Sequence, residues 1–100
     1  MSILNEKLIK EQAKIVYKAR MSTGQSATYN IQDEGMYLVV AHTNGDNRCI
    51  MDVIIYVNRS INATRIKDEN NPYKSITYSE NKITMNNTLY TGMYCILKLY

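Results

Sequence analysis

An all-β sandwich is the fold this chain predicts. Three observations point to it. From residue 14 onward, short runs rich in Ile, Val, Tyr and Thr are separated by clusters of Asn, Gly, Asp and Ser. Most of these runs alternate apolar with polar at a period of two. No long helical pattern follows residue 12, and the eight runs are spaced closely enough for two packed sheets. The expected architecture is an eight-stranded antiparallel sandwich, jelly-roll-like, preceded by a short N-terminal helix or arm.

Residues 1–12 form the arm. Leu4 and Leu8, flanked by Ile3 and Ile9, make a short apolar stripe opposite Glu6, Lys7, Lys10 and Glu11, and Ser2 is a candidate N-cap. A helix of about ten residues is marginal alone, so this one is expected to dock or bundle. The β domain occupies residues 13–100. At Lys14 the period changes, and Ile15, Tyr17, Ala19 and Met21 alternate with Val16, Lys18 and Arg20. A turn at Ser22-Thr-Gly-Gln leads to Ala27, Tyr29 and Ile31 on one face of a second strand. After Gln32-Asp-Glu-Gly comes the organising pair. Met36 to Ala41 and Val53 to Val57 are apolar on both faces, with Thr-Asn-Gly-Asp-Asn-Arg between them. Tyr37, Val39 and Ala41 share one face and Leu38, Val40 and His42 the other. Cys49, Met51, Val53, Ile55 and Val57 share one face of the partner, Ile50, Ile54 and Tyr56 the other. Strands of this kind need cover on both sides. Ile61 to Ile66 is a further strand, and 67–72, with the only proline, is an exposed loop. Ser75 to Tyr78 and Ile83 to Met85 form a hairpin around Ser79-Glu-Asn. Residues 86–92 are a loop, and Met93, Cys95, Leu97 and Leu99 line one face of the last strand.

Composition narrows the function. One hundred residues make one domain, with a thin core that burial in an oligomer would help. Nine Tyr supply all the aromatic surface, which suits interfaces and core rims. The net charge of +3 sits in residues 1–20, leaving the body neutral, so no nucleic-acid face is expected. No apolar run reaches the roughly 18–20 residues of a membrane helix, and the charged start carries no secretory signal pattern. Cys49 and Cys95 lie in apolar strand patterns without metal-ligand spacing, and are expected to be buried reduced thiols, with a disulfide across the core as the alternative.

The stretch Gln25-Ser-Ala-Thr-Tyr-Asn-Ile31, then Gly35-Met-Tyr-Leu-Val-Val-Ala41, resembles the compact trimeric jelly-roll domains of tailed-bacteriophage fibres, spikes and related virion proteins. Ser75-Ile-Thr-Tyr-Ser-Glu-Asn-Lys-Ile-Thr-Met-Asn86 and the closing Tyr94-Cys-Ile-Leu-Lys-Leu-Tyr100 are similar to the same pattern. The resemblance spans residues 13–100 and is one of strands and turns. It implies a homotrimer that is part of a virion and binds a host-surface glycan or protein, or another virion protein. It also implies synthesis in the host cytoplasm and an extracellular place once assembled. A free-standing bacterial carbohydrate- or protein-binding module is the alternative.

No enzyme and no cofactor or metal site is expected. His42 is the only histidine, and a Cys49–His42 dyad would need an exposed, electropositive thiol, whereas Cys49 belongs to an apolar stripe. Asn44, Asp46 and Asn47 lack the spacing of a calcium loop. The sequons at Asn58, Asn62 and Asn86 read as accidents of a chain with eleven Asn. The candidate subunit interface is Leu38, Val40 and His42, with Ile54 and Ile96 beside them, because an outward Leu–Val pair on a monomer would leave an apolar patch. The candidate ligand loops combine tyrosine with amides: Asn70, Asn71 and Tyr73 in one, Asn86, Asn87 and Tyr90 in the other.

Overall fold

A computed structural model describes residues 14–43, 48–68 and 74–100. The arm at residues 1–12 lies outside the described residues, as do Asn44, Asp46, Asn47, Asn70, Asn71 and Tyr73. Eight strands account for most of the rest. They are β1 (Lys14–Met21), β2 (Ser26–Asn30), β3 (Gly35–Thr43), β4 (Cys49–Val57), β5 (Ser60–Asp68), β6 (Lys74–Ser79), β7 (Lys82–Asn87) and β8 (Gly92–Lys98). All pairings are antiparallel. One sheet has the order β1-β8-β3-β4-β5, the other β2-β7-β6. The sandwich expected from the sequence is therefore present, divided five and three.

The organising pair sits at the centre of the larger sheet. β3 pairs with β4 on one side and with β8 on the other, with Leu38 opposite both Val53 and Leu97. The core between the sheets is built from Tyr37, Val39 and Ala41 of β3, Ile50 and Ile54 of β4, and Tyr94 and Ile96 of β8. Ile76, Ile83 and Met85 face them from the smaller sheet. Val39, Ala41, Ile54, Ile83, Met85, Tyr94 and Ile96 retain no solvent-accessible surface. Burial of the Val, Ile and Met side chains among them contributes roughly 1.5–3 kcal/mol each.

Both edge strands of the five-stranded sheet are bulged. β1 slips register between Ile15 and Tyr17, passing over Val16, and β5 slips opposite Met51 and Asp52, passing over Ile66. The first slip turns Tyr17 and Ala19 to the core side, opposite Ile96 and Tyr94, and leaves Ile15 on the outside opposite Leu97. Bulges of this kind bend an edge and interrupt the row of free backbone groups another strand could use.

Two polar clusters brace the core. The Asp52 carboxylate, 2% exposed, lies between the sheets. It accepts from the Arg65 guanidinium on the neighbouring strand, including an Nη2–Oδ2 contact of 3.3 Å, and from the Tyr78 hydroxyl on the opposite sheet. At the other end, the buried Asn87 amide donates to the carbonyls of Met21 (3.0 Å), Ser22 (2.8 Å) and Tyr90 (2.6 Å). Its oxygen accepts from the Lys74 ammonium at 2.8 Å. Lys74 is buried too, and desolvation lowers its pKa. Every buried polar side-chain atom among the described residues has a hydrogen-bond partner, as a packed interior requires.

Candidate functional site

The two outer faces of the sandwich are chemically opposite. Directly opposed residues in an antiparallel pair share a face, so register alone assigns each row. On the outer face of the three-stranded sheet, Ser26 lies beside Asn86 and Ser75, Thr28 beside Thr84 and Thr77, and Asn30 beside Lys82 and Ser79. Hydroxyls and amides also bond to one another there, Thr28 Oγ1 to Thr84 Oγ1 at 3.1 Å and Asn86 Nδ2 to Ser75 Oγ at 3.4 Å. This face suits water.

The outer face of the five-stranded sheet is apolar at the same depth. Across its middle run Ile15, Leu97, Leu38, Val53 and Thr64. The row on one side is Lys18, Cys95, Val40, Met51 and Lys67, and the next is Arg20, Met93, His42 and Cys49. On the other side Met36 lies beside Ile55 and Asn62. Leu38, Val40, Met51, Val53, Met93, Cys95 and Leu97 are half-buried, while Met36, Ile55 and Ile15 are exposed. Lys18, Arg20 and Lys67 stand only on the edge strands, where long side chains reach water past the apolar centre. Among the described residues nothing packs over this face. Contiguous apolar surface rimmed by polar groups marks an interaction site far more often than scattered apolar residues do.

Of the expected interface residues, Leu38, Val40 and His42 lie together on this face. Ile54 and Ile96 do not. Both are fully buried in the core, opposite Tyr37 and Val39 respectively. Their places on the outer face are taken by Val53 and Leu97, with Met51, Ile55, Met93 and Cys95 around them. Met93, Cys95 and Leu97 do share one face of β8 in the sequence, and Met51, Val53 and Ile55 one face of β4. The opposite face of each strand is apolar as well, so the pattern alone does not say which faces out. What misleads is Asp52, whose charge would ordinarily mark the side of Ile50 and Ile54 as the wet one. Arg65 and Tyr78 neutralise that rule by holding Asp52 inside.

The cysteines need a similar correction. Both are reduced, but they lie half-buried on the outer face rather than in the core. Cys95 has its thiol pKa raised by desolvation, with Lys18 opposing. Cys49 is the register neighbour of His42, and its thiol faces the carbonyl of Ile50 at 3.9 Å.

The second expected ligand loop also changes. Asn87 is 1% exposed and its amide is spent on backbone carbonyls, so it is a brace and not a ligand contact. Asn86 is the last outward-facing residue of β7 and is bonded to Ser75. Tyr90 is exposed, in a left-handed conformation with φ of 63°. The first expected loop, with Asn70, Asn71 and Tyr73, is outside the described residues. Among the described residues no group of three or more His, Cys, Asp or Glu side chains converges as a metal site would. No protein-family model matches the chain, and neither the curated proteins nor the solved structures contain a match.

Proposed function

We propose that this chain is a non-enzymatic structural component that assembles with further copies of itself through the outer face of its five-stranded sheet. The apolar rows centred on Leu38, Val40, Val53 and Leu97, over which nothing packs among the described residues, are the observation that carries the reading. Two features favour contact through this face over other routes. The bulges at Val16 and Ile66 oppose pairing edge to edge. The hydroxyl and amide rows of the other sheet gain little from leaving water. Completing the burial of the half-buried side chains would contribute about 1 kcal/mol apiece, enough across several residues and several copies to hold an assembly together. The sequence resemblance supplies the number, three, and the setting, a virion of the fibre, spike or head-decoration type that contacts a host surface or another virion protein. The free-standing binding module is the second reading, and the oligomeric state separates the two.

Light scattering at micromolar concentration tests the proposal. Wild-type protein is expected to be oligomeric, and Val40→Asp monomeric with its β circular dichroism intact. Cys49 and Cys95 provide an independent reporter, because both lie on the contact. They should resist alkylation in the assembly and react in the Val40→Asp monomer. A wild-type chain that is a clean monomer overturns the reading.

A further inference from the structure

A cleft opens between the tips of two hairpins at the end of the sandwich where β4 turns into β5 and β6 into β7. One lobe, of about 200 Å³, is lined by Arg59, Ser60, Ile61, Tyr78, Ser79 and Glu80. The other, of about 400 Å³, is lined by Tyr56, Arg59, Glu80 and Asn81. The two meet at Arg59 and Glu80. These side chains come from residues whose backbones adopt a conformation that L residues disfavour. Asn58 and Arg59, between the paired Val57 and Ser60, have φ of 52° and 60°. Asn tolerates this, but the second position of such a turn is usually Gly. Glu80, between the paired Ser79 and Lys82, has φ of 55°, while its neighbour Asn81 does not have a positive φ. That pattern too usually places Gly first. Thus at both tips the position suited to Gly carries a charged side chain, and both charges border the same cleft. Strain retained in two places around one cavity points to function.

The charges are not there to bind each other. Neither Arg59 nor Glu80 has an ion-pair partner among the described residues. Arg offers only donors and Glu only acceptors. An anion drawn to Arg59 would meet the Glu80 carboxylate, and a cation drawn to Glu80 would meet the guanidinium. A neutral group whose adjacent atoms both donate and accept satisfies the pair together. Vicinal hydroxyls on a saccharide ring do this, one accepting from Arg59 while its neighbour donates to Glu80. The Tyr56 ring supplies an aromatic surface for the apolar face of such a ring, and the larger lobe is of ligand-pocket size.

We propose that this cleft binds a neutral saccharide unit through vicinal hydroxyls held by Arg59 and Glu80. Tyr56 and Ile61 belong to the inward-facing row of the five-stranded sheet, with Gly35, so the cleft does not share the apolar outer face. Binding and assembly therefore stand or fall separately.

Amide chemical shifts of isotope-labelled protein titrated with the methyl glycosides of glucose, galactose and mannose at millimolar concentration give the test. At least one of the three should shift residues 56–61 and 78–81 in a saturable way. Glu80→Gly and Arg59→Gly should each raise the thermal midpoint by relieving the turn and weaken binding about tenfold. Glu80→Gln, which keeps the turn but removes the charge, should weaken binding while leaving the midpoint close to wild type. Absence of shifts at the cleft with all three glycosides overturns the proposal, as does undiminished binding by both glycine variants.

Discussion

Replacing Asp52 with Ala strips Tyr78 and Arg65 of the carboxylate that joins the two sheets. A hydrogen bond to a charged group is worth about 1.5–3 kcal/mol, and breaking a buried pair costs about 3–5 kcal/mol. The Arg65 side chain is 39% exposed and can turn toward water, which moves the expected loss to the low end, about 3 kcal/mol. For a domain of this size each kcal/mol lowers the midpoint by about 4–8 °C, so Asp52→Ala should melt roughly 15 °C below wild type. Tyr78→Phe, which deletes only the donor, should cost about 1.5 kcal/mol. The double variant should show a coupling energy of about 1–2 kcal/mol, since the two changes remove one shared contact. Urea unfolding at one fixed protomer concentration reads all four corners of the cycle, because any assembly makes stability depend on concentration. A coupling energy near zero, or a loss below about 1 kcal/mol for Asp52→Ala, would refute the argument that this carboxylate clamps the sheets.

Gly35 has φ of 153°, and a Cβ there would run into the Tyr100 carbonyl, whose oxygen accepts from the Met36 amide at 3.1 Å. Gly35→Ala should therefore cost about 1–3 kcal/mol and speed hydrogen exchange at the Leu99 amide, which donates to Met36 at 2.8 Å. Alkaline pH should destabilise the fold. Burial raises the Tyr94 phenol to about 12 and drives Tyr78, beside Asp52, higher still. Above pH 10 the unfolded chain loses these protons first. The stability contributed by the neutral phenols, about 3 kcal/mol for Tyr94, is present below pH 10 and lost as pH rises through 12. Lys74 works the other way. Its lowered pKa makes the unfolded chain the better proton binder up to pH 10.5, so its contribution grows with pH over that window. The tyrosinate absorbance that belongs to Tyr78 and Tyr94 should consequently appear together with loss of β circular dichroism.

The strand inventory was legible because each strand is bounded by turn chemistry and keeps a period of two. Lys14–Met21, Ser26–Asn30 and Lys82–Asn87 begin and end within a few residues of their expected limits. The orientation of β3 was legible as well, since Tyr37, Val39 and Ala41 do face inward. What sequence could not show was which parity of β4 and β8 faces the core, because both parities are apolar and register depends on the intervening loops. The roles of Asp52 and Asn87 depend on partners far along the chain. Asp52 meets Tyr78, and Asn87 meets Met21 and Lys74. No local pattern announces such contacts. The cleft escaped notice for a related reason, in that the turns at Asn58-Arg59 and Glu80-Asn81 look like ordinary polar turns until their backbone angles are known.

Val39 and Val40 turn the assembly reading into a comparison of two adjacent, identical side chains. Val39 is fully buried opposite Asp52 and Ile96, whereas Val40 is half-buried opposite Met51 and Cys95 on the outer face. Threonine has nearly the shape of valine but brings a hydroxyl, so each replacement asks whether water or a packed apolar group surrounds the site. At Val39 the hydroxyl would be carried into the core, costing about 1–3 kcal/mol of folding stability. At Val40 an isolated chain should lose almost nothing, because the side chain already borders water. In an assembly the same hydroxyl would be buried at every contact, so Val40→Thr should shift the dissociation midpoint to higher concentration while leaving the monomer's unfolding unchanged. Sedimentation velocity across a dilution series, paired with urea unfolding of the diluted monomer, separates the two effects. Equal unfolding losses at both positions would mean that Val40 belongs to the folded core of a single chain, and the outer face would lose its claim to be a contact.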